Sequence, residues 1–176
     1  MKFRGIIIIV VIAVSIFLLI RIIVQNFVID GPSMNPNLAD NQWILVNKVV
    51  YRLHPPERGD IIVFNSSYSV GPKVLIKRVI GLPGETVKVE GGEVYIDDKL
   101  LDESSYLSMP TVKRPGTWKL GDGEYFVMGD NRPSSSDSRF WADPVDQSNI
   151  IGRAWLRIWP FSEWGLAPNY RPVLVE

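Results

Sequence analysis

Thr86-Val-Lys-Val-Glu90, Gly91-Gly92 and Glu93-Val-Tyr-Ile96 decide the fold class of this chain. Apolar and polar side chains alternate on both sides of the glycine pair, the period-2 pattern of half-buried strands. A two-residue Gly-Gly connection supplies the left-handed backbone that a tight hairpin requires, so the segment predicts an antiparallel pair. Asp97-Asp98 turns the chain again before Lys99-Leu100-Leu101. Residues 43–50, 60–64, 73–80 and 151–159 are rich in β-branched and aromatic side chains and predict further strands. The 13 prolines and all but one of the 14 glycines fall in this part of the chain and interrupt any long helical pattern. Residues 97–124 have weaker periodicity, with Pro110, Pro115 and a Gly121-Asp122-Gly123 turn, and predict a smaller, looser unit or long loops. There is no repeat and no low-complexity segment. The expected fold is mostly antiparallel β.

The N-terminus is of another kind. Residues 5–20 are apolar except for Ser15, and Ile22, Val24, Phe27 and Ile29 extend the stretch. About 20 apolar residues are needed to span a bilayer as a helix, and 5–24 supply them with Arg21 as the single charge. Arg21 lies near the far end, where its side chain can snorkel to the headgroups. A cleavable signal peptide has a shorter apolar core and a small-x-small site, which Gln25-Asn26-Phe27-Val28-Ile29 does not offer. A buried core helix fits poorly, because residues 6–12 have no polar face at any period. Lys2 and Arg4 predict a cytoplasmic N-terminus, with the remainder outside. The expected organisation is a single-pass plasma-membrane protein. Residues 1–26 form its cytoplasmic tip and anchor, and 27–176 an extracytoplasmic β domain with a smaller inserted region at roughly 87–124.

That domain has the size of one ordinary folding unit. It holds 16 Lys and Arg against 19 Asp and Glu, a formal charge of −3, which gives no support to nucleic-acid binding. The absence of cysteine excludes disulfides, thiolate metal sites and cysteine catalysis. No ligand cluster marks a metal or organic cofactor, so none is expected.

Three segments carry candidate chemistry. Asp30-Gly-Pro-Ser-Met-Asn-Pro36 follows the anchor, and Ser33, nine residues beyond Val24, can sit at most ~30 Å from the bilayer surface. Read alone, this segment is equally a proline-stiffened linker. The single histidine, His54, precedes Pro55-Pro56 in what reads as an exposed turn, so a serine nucleophile needs another base, for which lysine is the known substitute. In Val74-Leu-Ile-Lys-Arg-Val-Ile-Gly81, Leu75, Lys77 and Val79 share one strand face, and Ile76, Arg78 and Ile80 the other. A lysine must lose its proton to act as a base; its reference pKa is ~10.4, and burial among apolar side chains lowers it. The alternative is an edge-strand lysine with its head in water. Tyr125-Phe-Val-Met-Gly-Asp-Asn-Arg132, continuing through Pro133-Ser-Ser-Ser-Asp-Ser-Arg139, runs from a strand into a turn crowded with hydroxyls and paired charges. That turn is either ordinary loop chemistry or a source of a lysine-holding hydroxyl and a bracing ion pair.

In combination these segments resemble the bacterial type I signal peptidases, membrane-anchored serine endopeptidases of the Ser/Lys-dyad class. The resemblance covers nearly the whole chain: the anchor, residues 31–36, Arg58-Gly-Asp-Ile-Ile-Val-Phe64, Ile76-Lys-Arg-Val-Ile-Gly-Leu-Pro-Gly-Glu85, Gly129-Asp-Asn-Arg132 and residues 135–139. It implies Ser33 as nucleophile, Lys77 as general base, Ser135 as the hydroxyl that orients the amine, and Asp137 with Arg139 as a bracing pair. It also implies a β-rich catalytic domain with a smaller inserted β region. The implied substrates are secreted preproteins with small residues before the cut, in the Ala-x-Ala style, reached by a monomer at the lipid bilayer. Phe27, Ile29, Met34, Leu75 and Ile76 flank the dyad in sequence and are candidate pocket walls. Main-chain pairing of an extended substrate is expected near Asp30 or Leu75. The chain departs from the family at Asn37, where Thr or Ser is usual, at Pro133, where a polar residue is common, and at Gly31. Some relatives carry at that last position a serine that helps bind the oxyanion; glycine leaves the task to backbone N–H groups.

Among the aromatics near the C-terminus, the spacing of Trp155 and Trp159 puts both on one strand face and predicts core packing, leaving Trp141 and Trp164 as candidates for membrane contact. Two other functions remain open to the sequence. One is a membrane-tethered β domain that binds without catalysis; the other is a dyad peptidase dedicated to a single client.

Overall fold

The protein is described from a computed structural model, which covers residues 2–66, 73–107, 109 and 114–175; Pro110 lies outside them. Helix α1 (Lys2–Ile23) is long and apolar enough to cross a membrane. Strand β1 (Val24–Val28) starts at the very next residue. Lys48 N–H donates to the carbonyl of Ile23 at 2.9 Å, and Val24, Gln25 and Asn26 pair with Asn47, Val46 and Leu45. Residues 24–26, expected within the anchor, therefore belong to the sheet. Once a neighbouring strand offers partners for the backbone, the polar Gln25 and Asn26 gain nothing from staying helical.

The strands that follow are β2 (Trp43–Asn47), β3 (Ile61–Ser66), β4 (Lys73–Gly81), β5 (Thr86–Glu90), β6 (Glu93–Ile96), β7 (Lys99–Asp102), β8 (Gly116–Lys119), β9 (Glu124–Met128), β10 (Val145–Asp146), β11 (Ile150–Trp159), β12 (Gly165–Leu166) and β13 (Val173–Val175). All pairings are antiparallel. The larger sheet runs β1-β2-β11-β3-β4-β9-β10 with β12 beside β11, and the smaller runs β13-β7-β6-β5-β8. Gly91 and Gly92 sit at φ +63° and +93°, and Asp97 and Asp98 at +48° and +65°. Both tight turns thus have the doubly left-handed backbone that matches strand twist. The segment expected to be loose contains β7 and β8, both in register with neighbours. The C-terminal β13 joins the smaller sheet through β7, a non-local pairing that local patterning does not announce.

β3 is buried on both faces. Ile61 and Val63 pack under the 29–38 segment with Ile29, Met34, Leu38 and Ile44, while Ile62 and Phe64 pack on the other face with Val79, Tyr125 and Val127. That two-sided burial is why it reads as an unbroken apolar run. A further cluster joins the sheets: Ile80, Phe126 and Met128 of the larger pack against Val87, Val89, Val94, Ile96 and Leu101 of the smaller. Trp155 and Trp159 share one face, as their spacing implies, but it is the outer one, at 41% and 49% exposure. The inner face of β11 is filled by Gly152 and Ala154, and irregular register on either side of Leu156–Arg157 turns the tryptophans outward. Trp141, expected at the surface, is half-buried with its ring 6.0 Å from that of Phe64.

Arg78 and Asp130 form a fully buried ion pair. Arg78 Nε and Nη2 donate to the two Asp130 carboxylate oxygens at 2.8 and 2.7 Å, and Nη1 donates to the carbonyls of Gly59 and Pro168. The guanidinium stacks 4.3 Å from the Tyr106 ring centre. Removing one partner of such a pair leaves an uncompensated buried charge, at a cost of about 3–5 kcal/mol. Arg78→Met is therefore expected to lower the melting temperature by roughly 10 °C, measured by circular dichroism. Lys88→Met, which removes the exposed Lys88–Glu90 pair, should leave the melt nearly unchanged.

Candidate active site

Ser33 lies in the tight segment that leaves β1, and the fold pins that segment from several sides. Gly31 N–H donates to Asp40 Oδ1 at 2.7 Å. The carbonyls of Pro32 and Ser33 accept from Asn131 Nδ2 (3.1 Å) and Asn131 N (3.0 Å). Asn37 Nδ2 donates to Asp130 Oδ2 at 2.9 Å and to the carbonyl of Tyr106 at 2.8 Å. Met34, expected to wall a pocket, is fully buried in the core beneath this segment with Leu38 and Ile44. Its role is to anchor the loop from below; an apolar side chain next to the serine gains more there than at an open cleft.

Lys77 sits in the middle of β4 opposite Ile62, with 3% of its surface exposed. Its Nζ lies 2.8 Å from Ser33 Oγ and donates at 2.8 Å to the carbonyl of Ile76. With the amine neutral, the same Nζ–Oγ separation serves a bond in the opposite sense, from the serine O–H to the nitrogen lone pair. The carbonyl of Ile76 is one of the groups that fix the amine. Ser135, expected to do so, has its buried Oγ without a hydrogen-bond partner. It packs against Gly129, where a Cβ would fall 2.3 Å from Ser135 Oγ and 2.5 Å from the Ser33 carbonyl oxygen. Gly129 thus lets the serine-bearing segment and the 129–139 turn approach.

Asp137 and Arg139 form a buried bidentate pair, Arg139 Nε and Nη2 each 2.8 Å from a carboxylate oxygen. Asp137 Oδ2 also accepts from Gly129 N–H at 3.0 Å, and Arg139 Nη2 donates to the carbonyl of Arg132. Together they brace the Gly129–Arg132 strand end against the turn. Sequence reasoning missed what ties this turn to the smaller sheet. Arg132 Nη1 donates to Glu103 Oε2 at 3.0 Å, Nη2 pairs with Oε1, and Nε donates to the carbonyl of Gly129. Tyr106 O–H donates to Glu103 at 2.6 Å. Burial, then the charge of Glu103, holds the Tyr106 phenol well above its usual pKa, so it remains a donor. The clustered charges of residues 130–132 were visible in the sequence; the partner of Arg132, just beyond the end of β7, was not.

A cleft of about 250 Å³ opens beside Ser33 and Lys77. Phe27, Ile29, Asp30, Gly31, Leu75 and Ile76 all line it, and Ser136, not foreseen, joins them. Along β4 only the second half, from Arg78, is paired on both sides; among the described residues, 73–77 pair with β3 alone. The cleft therefore borders an open strand edge. Gly31 has φ +87°, a conformation in which a side chain is strained, so a serine would not sit comfortably on this backbone. His54 is elsewhere: its Nδ1 is 3.0 Å from the Pro55 carbonyl and its ring meets Tyr51 edge-on.

Residues 3–159 match the family described as "Signal peptidase, peptidase S26". The chain is 43% identical over 162 residues to "Probable signal peptidase I-1" of Synechocystis sp., with 88% of this chain and 81% of that one covered. It is 40% identical to "Signal peptidase I U" of Bacillus subtilis, with 88% and 86% covered. Against "Probable signal peptidase I-2" of Synechocystis sp. the identity is 42%, and the match spans 78% of this chain but 64% of that relative's length. A crystal structure of a signal peptidase I from Enterococcus faecalis is 33% identical with a TM-score of 0.48, covering 56% of this chain and 95% of the other.

Gly129→Ala gives a sharp test of the site's geometry. The added Cβ meets backbone and a buried serine, so the Ser33 segment and the 129–139 turn must move apart, which disturbs the Ser33–Lys77 contact. A misplacement of about 1 Å is expected to slow acylation of Ser33 by a serine-directed reagent about 10²-fold. Mass spectrometry of the modified protein over time measures that rate.

Proposed function

Since the chain belongs to the peptidase S26 signal peptidases, membrane-anchored serine endopeptidases that remove signal peptides from exported preproteins, we propose that Ser33 and Lys77 are its nucleophile and general base. The observation that carries this reading is the 2.8 Å separation between Ser33 Oγ and a lysine amine with almost no access to water. Burial disfavours the ammonium form and so favours the neutral amine that a base requires. Nζ takes the proton of Ser33 as Oγ attacks the scissile carbonyl, then returns it to the departing amine; the acyl-enzyme is released when a water attacks with the same nitrogen as base. Gly31 N–H is bonded to Asp40 and Pro32 has no N–H, so in this reading the N–H of Ser33 itself is the nearest backbone donor to the oxyanion.

The open edge of β4 and the chain at 29–31 form opposite sides of the cleft. An extended substrate laid between them pairs by its main chain, while alternate side chains meet apolar walls at Phe27, Ile29, Leu75 and Ile76. A cleft of this size suits small side chains of the Ala-x-Ala kind. The topology proposed is N-terminus cytoplasmic, α1 across the plasma membrane and the β domain outside, working as a monomer. Binding without catalysis leaves the buried lysine–serine contact without a purpose.

Ser33→Ala and Lys77→Ala are each expected to abolish cleavage of a preprotein while preserving the circular dichroism melt; near-normal turnover by the lysine variant would falsify the dyad. His54→Ala should retain activity and its pH profile. For the wild type, kcat/KM should rise with pH, because the active form is the neutral amine, along a limb below the usual lysine range of ~10.4. Leu75→Asp sets a carboxylate beside the amine, favours the ammonium and should move that limb to higher pH, read from kcat/KM against pH on one peptide. Protease added outside intact spheroplasts should digest the β domain, whereas protection would reverse the orientation.

A further inference from the structure

Where α1 meets the β domain, a groove of about 760 Å³ lies on the flank of the helix. Three cations line it: Arg21 from the helix, Lys48 from the turn after β2, and Arg52 from the short helical turn that follows. The remaining walls are mainly apolar, from Leu18 and Ile22 on the helix to Pro56, Ile150 and Ile151 on the domain, and no Asp or Glu contributes. Among the described residues, none of the three cations is ion-paired. The groove is also fixed in place. β1 follows α1 without a linker, and the Lys48 N–H to Ile23 bond ties the helix end to the segment that carries two of the cations.

We propose that this groove binds one anionic phospholipid, its phosphate held by Arg21, Lys48 and Arg52 and its acyl chains running down the Leu18–Ile22 face of α1. The inference rests on α1 spanning the bilayer, which puts Arg21, two residues from the helix end, at headgroup level. Three positive charges in a lining that holds no Asp or Glu call for a ligand with a concentrated negative charge. The apolar wall that continues directly into the spanning helix calls for one with hydrocarbon attached. A soluble phosphate satisfies the first demand and leaves the second unmet; an anionic lipid satisfies both. Bound there, the lipid would join the helix to the domain beside the Lys48–Ile23 tether. It would fix the height and tilt of the domain over the membrane without touching the reacting atoms.

The test uses the full chain in nanodiscs of phosphatidylcholine with a minor fraction of phosphatidylglycerol. Native mass spectrometry after release into detergent counts the phosphatidylglycerol that stays bound. Incorporation into the discs reports on α1 spanning the bilayer, separately from lipid retention. The wild type is expected to keep one such lipid, Arg52→Gln to hold it about fivefold more weakly, and Arg21→Gln/Lys48→Gln/Arg52→Gln about 100-fold more weakly, since each cation near the surface contributes about a fivefold factor. Lys2→Gln/Arg4→Gln, which removes charge at the other end of the helix, should keep it. Equal retention by the triple variant would overturn the proposal, as would equal loss from the Lys2/Arg4 variant, which marks unspecific attraction to the bilayer. Displacement of the lipid by millimolar glycerol phosphate would overturn the lipid source in favour of a free phosphate. Circular dichroism melts of each variant confirm folding, and the single Arg52 substitution, at an exposed side chain, keeps the test valid if the triple variant is unstable.

Discussion

Two adjacent cations on β4 meet opposite demands, and the structure depends on keeping them apart. Alternation sends Lys77 and Arg78 to opposite faces of the strand. Arg78 receives two carboxylate oxygens, two carbonyls and an aromatic face, so its charge is compensated in full. Lys77 is almost as buried, and its contacts include a hydroxyl and a carbonyl, both of which tolerate a neutral amine. An arginine stays ionised under any such burial, whereas a lysine can yield its proton. The same strand thus spends one cation on rigidity and, in the proposed mechanism, keeps the other for proton transfer. A one-residue slip of its register would exchange the two environments.

Asp130 carries this division of labour into the loop that holds the serine. Its carboxylate takes both Arg78 bonds and one from Asn37, four residues beyond Ser33, while the neighbouring Asn131 holds the carbonyls of Pro32 and Ser33. The hydroxyl is therefore located by the buried ion pair beneath it. Arg132 then couples the turn to Glu103, beyond the end of β7, and Tyr106 of the same segment stacks on Arg78. The smaller sheet shares a core with the larger and also supplies polar groups directly behind the site. Its insertion between β4 and β9 is what delivers them there, since both strands lead straight into the residues it braces.

The strands and tight turns were legible because they are local: β-branched alternation and paired glycines or aspartates dictate backbone geometry within a few residues. The pair Ser33 and Lys77 was legible through the order of motifs. β13 and the Glu103–Arg132 pair were not, since they depend on segments that meet only after folding. Trp155 and Trp159 show a subtler gap, for period fixes that two residues share a face but not which face is buried; small residues at 152 and 154 were the clue. Asn37, read only as a departure from the family, links the serine loop to Asp130, and Met34 was placed by its neighbourhood in sequence rather than by the depth of the loop. Ser135 was assigned by resemblance; the Ile76 carbonyl, a backbone group, is a contact of the amine that no side-chain motif announces.

The junction at Ile23 and Val24 sets where any chemistry at Ser33 takes place. A flexible linker would let the domain wander over distances that grow with its length. With none present, β1 leaves the bilayer as a paired strand, and its five residues rise about 17 Å. Ser33 follows five residues later in a loop pinned on several sides, so its height above the membrane is close to a fixed quantity. A substrate whose signal helix is still in the bilayer is constrained in the same way, with its cleavage site a set number of residues past the apolar segment. Two chains held by helices in one membrane then need only lateral diffusion to bring a scissile bond to the serine at the right height. The missing linker thus fixes the distance from the end of α1 to Ser33 within the fold itself, and in the proposed reading that distance limits which peptide bonds of a membrane-held substrate reach the serine.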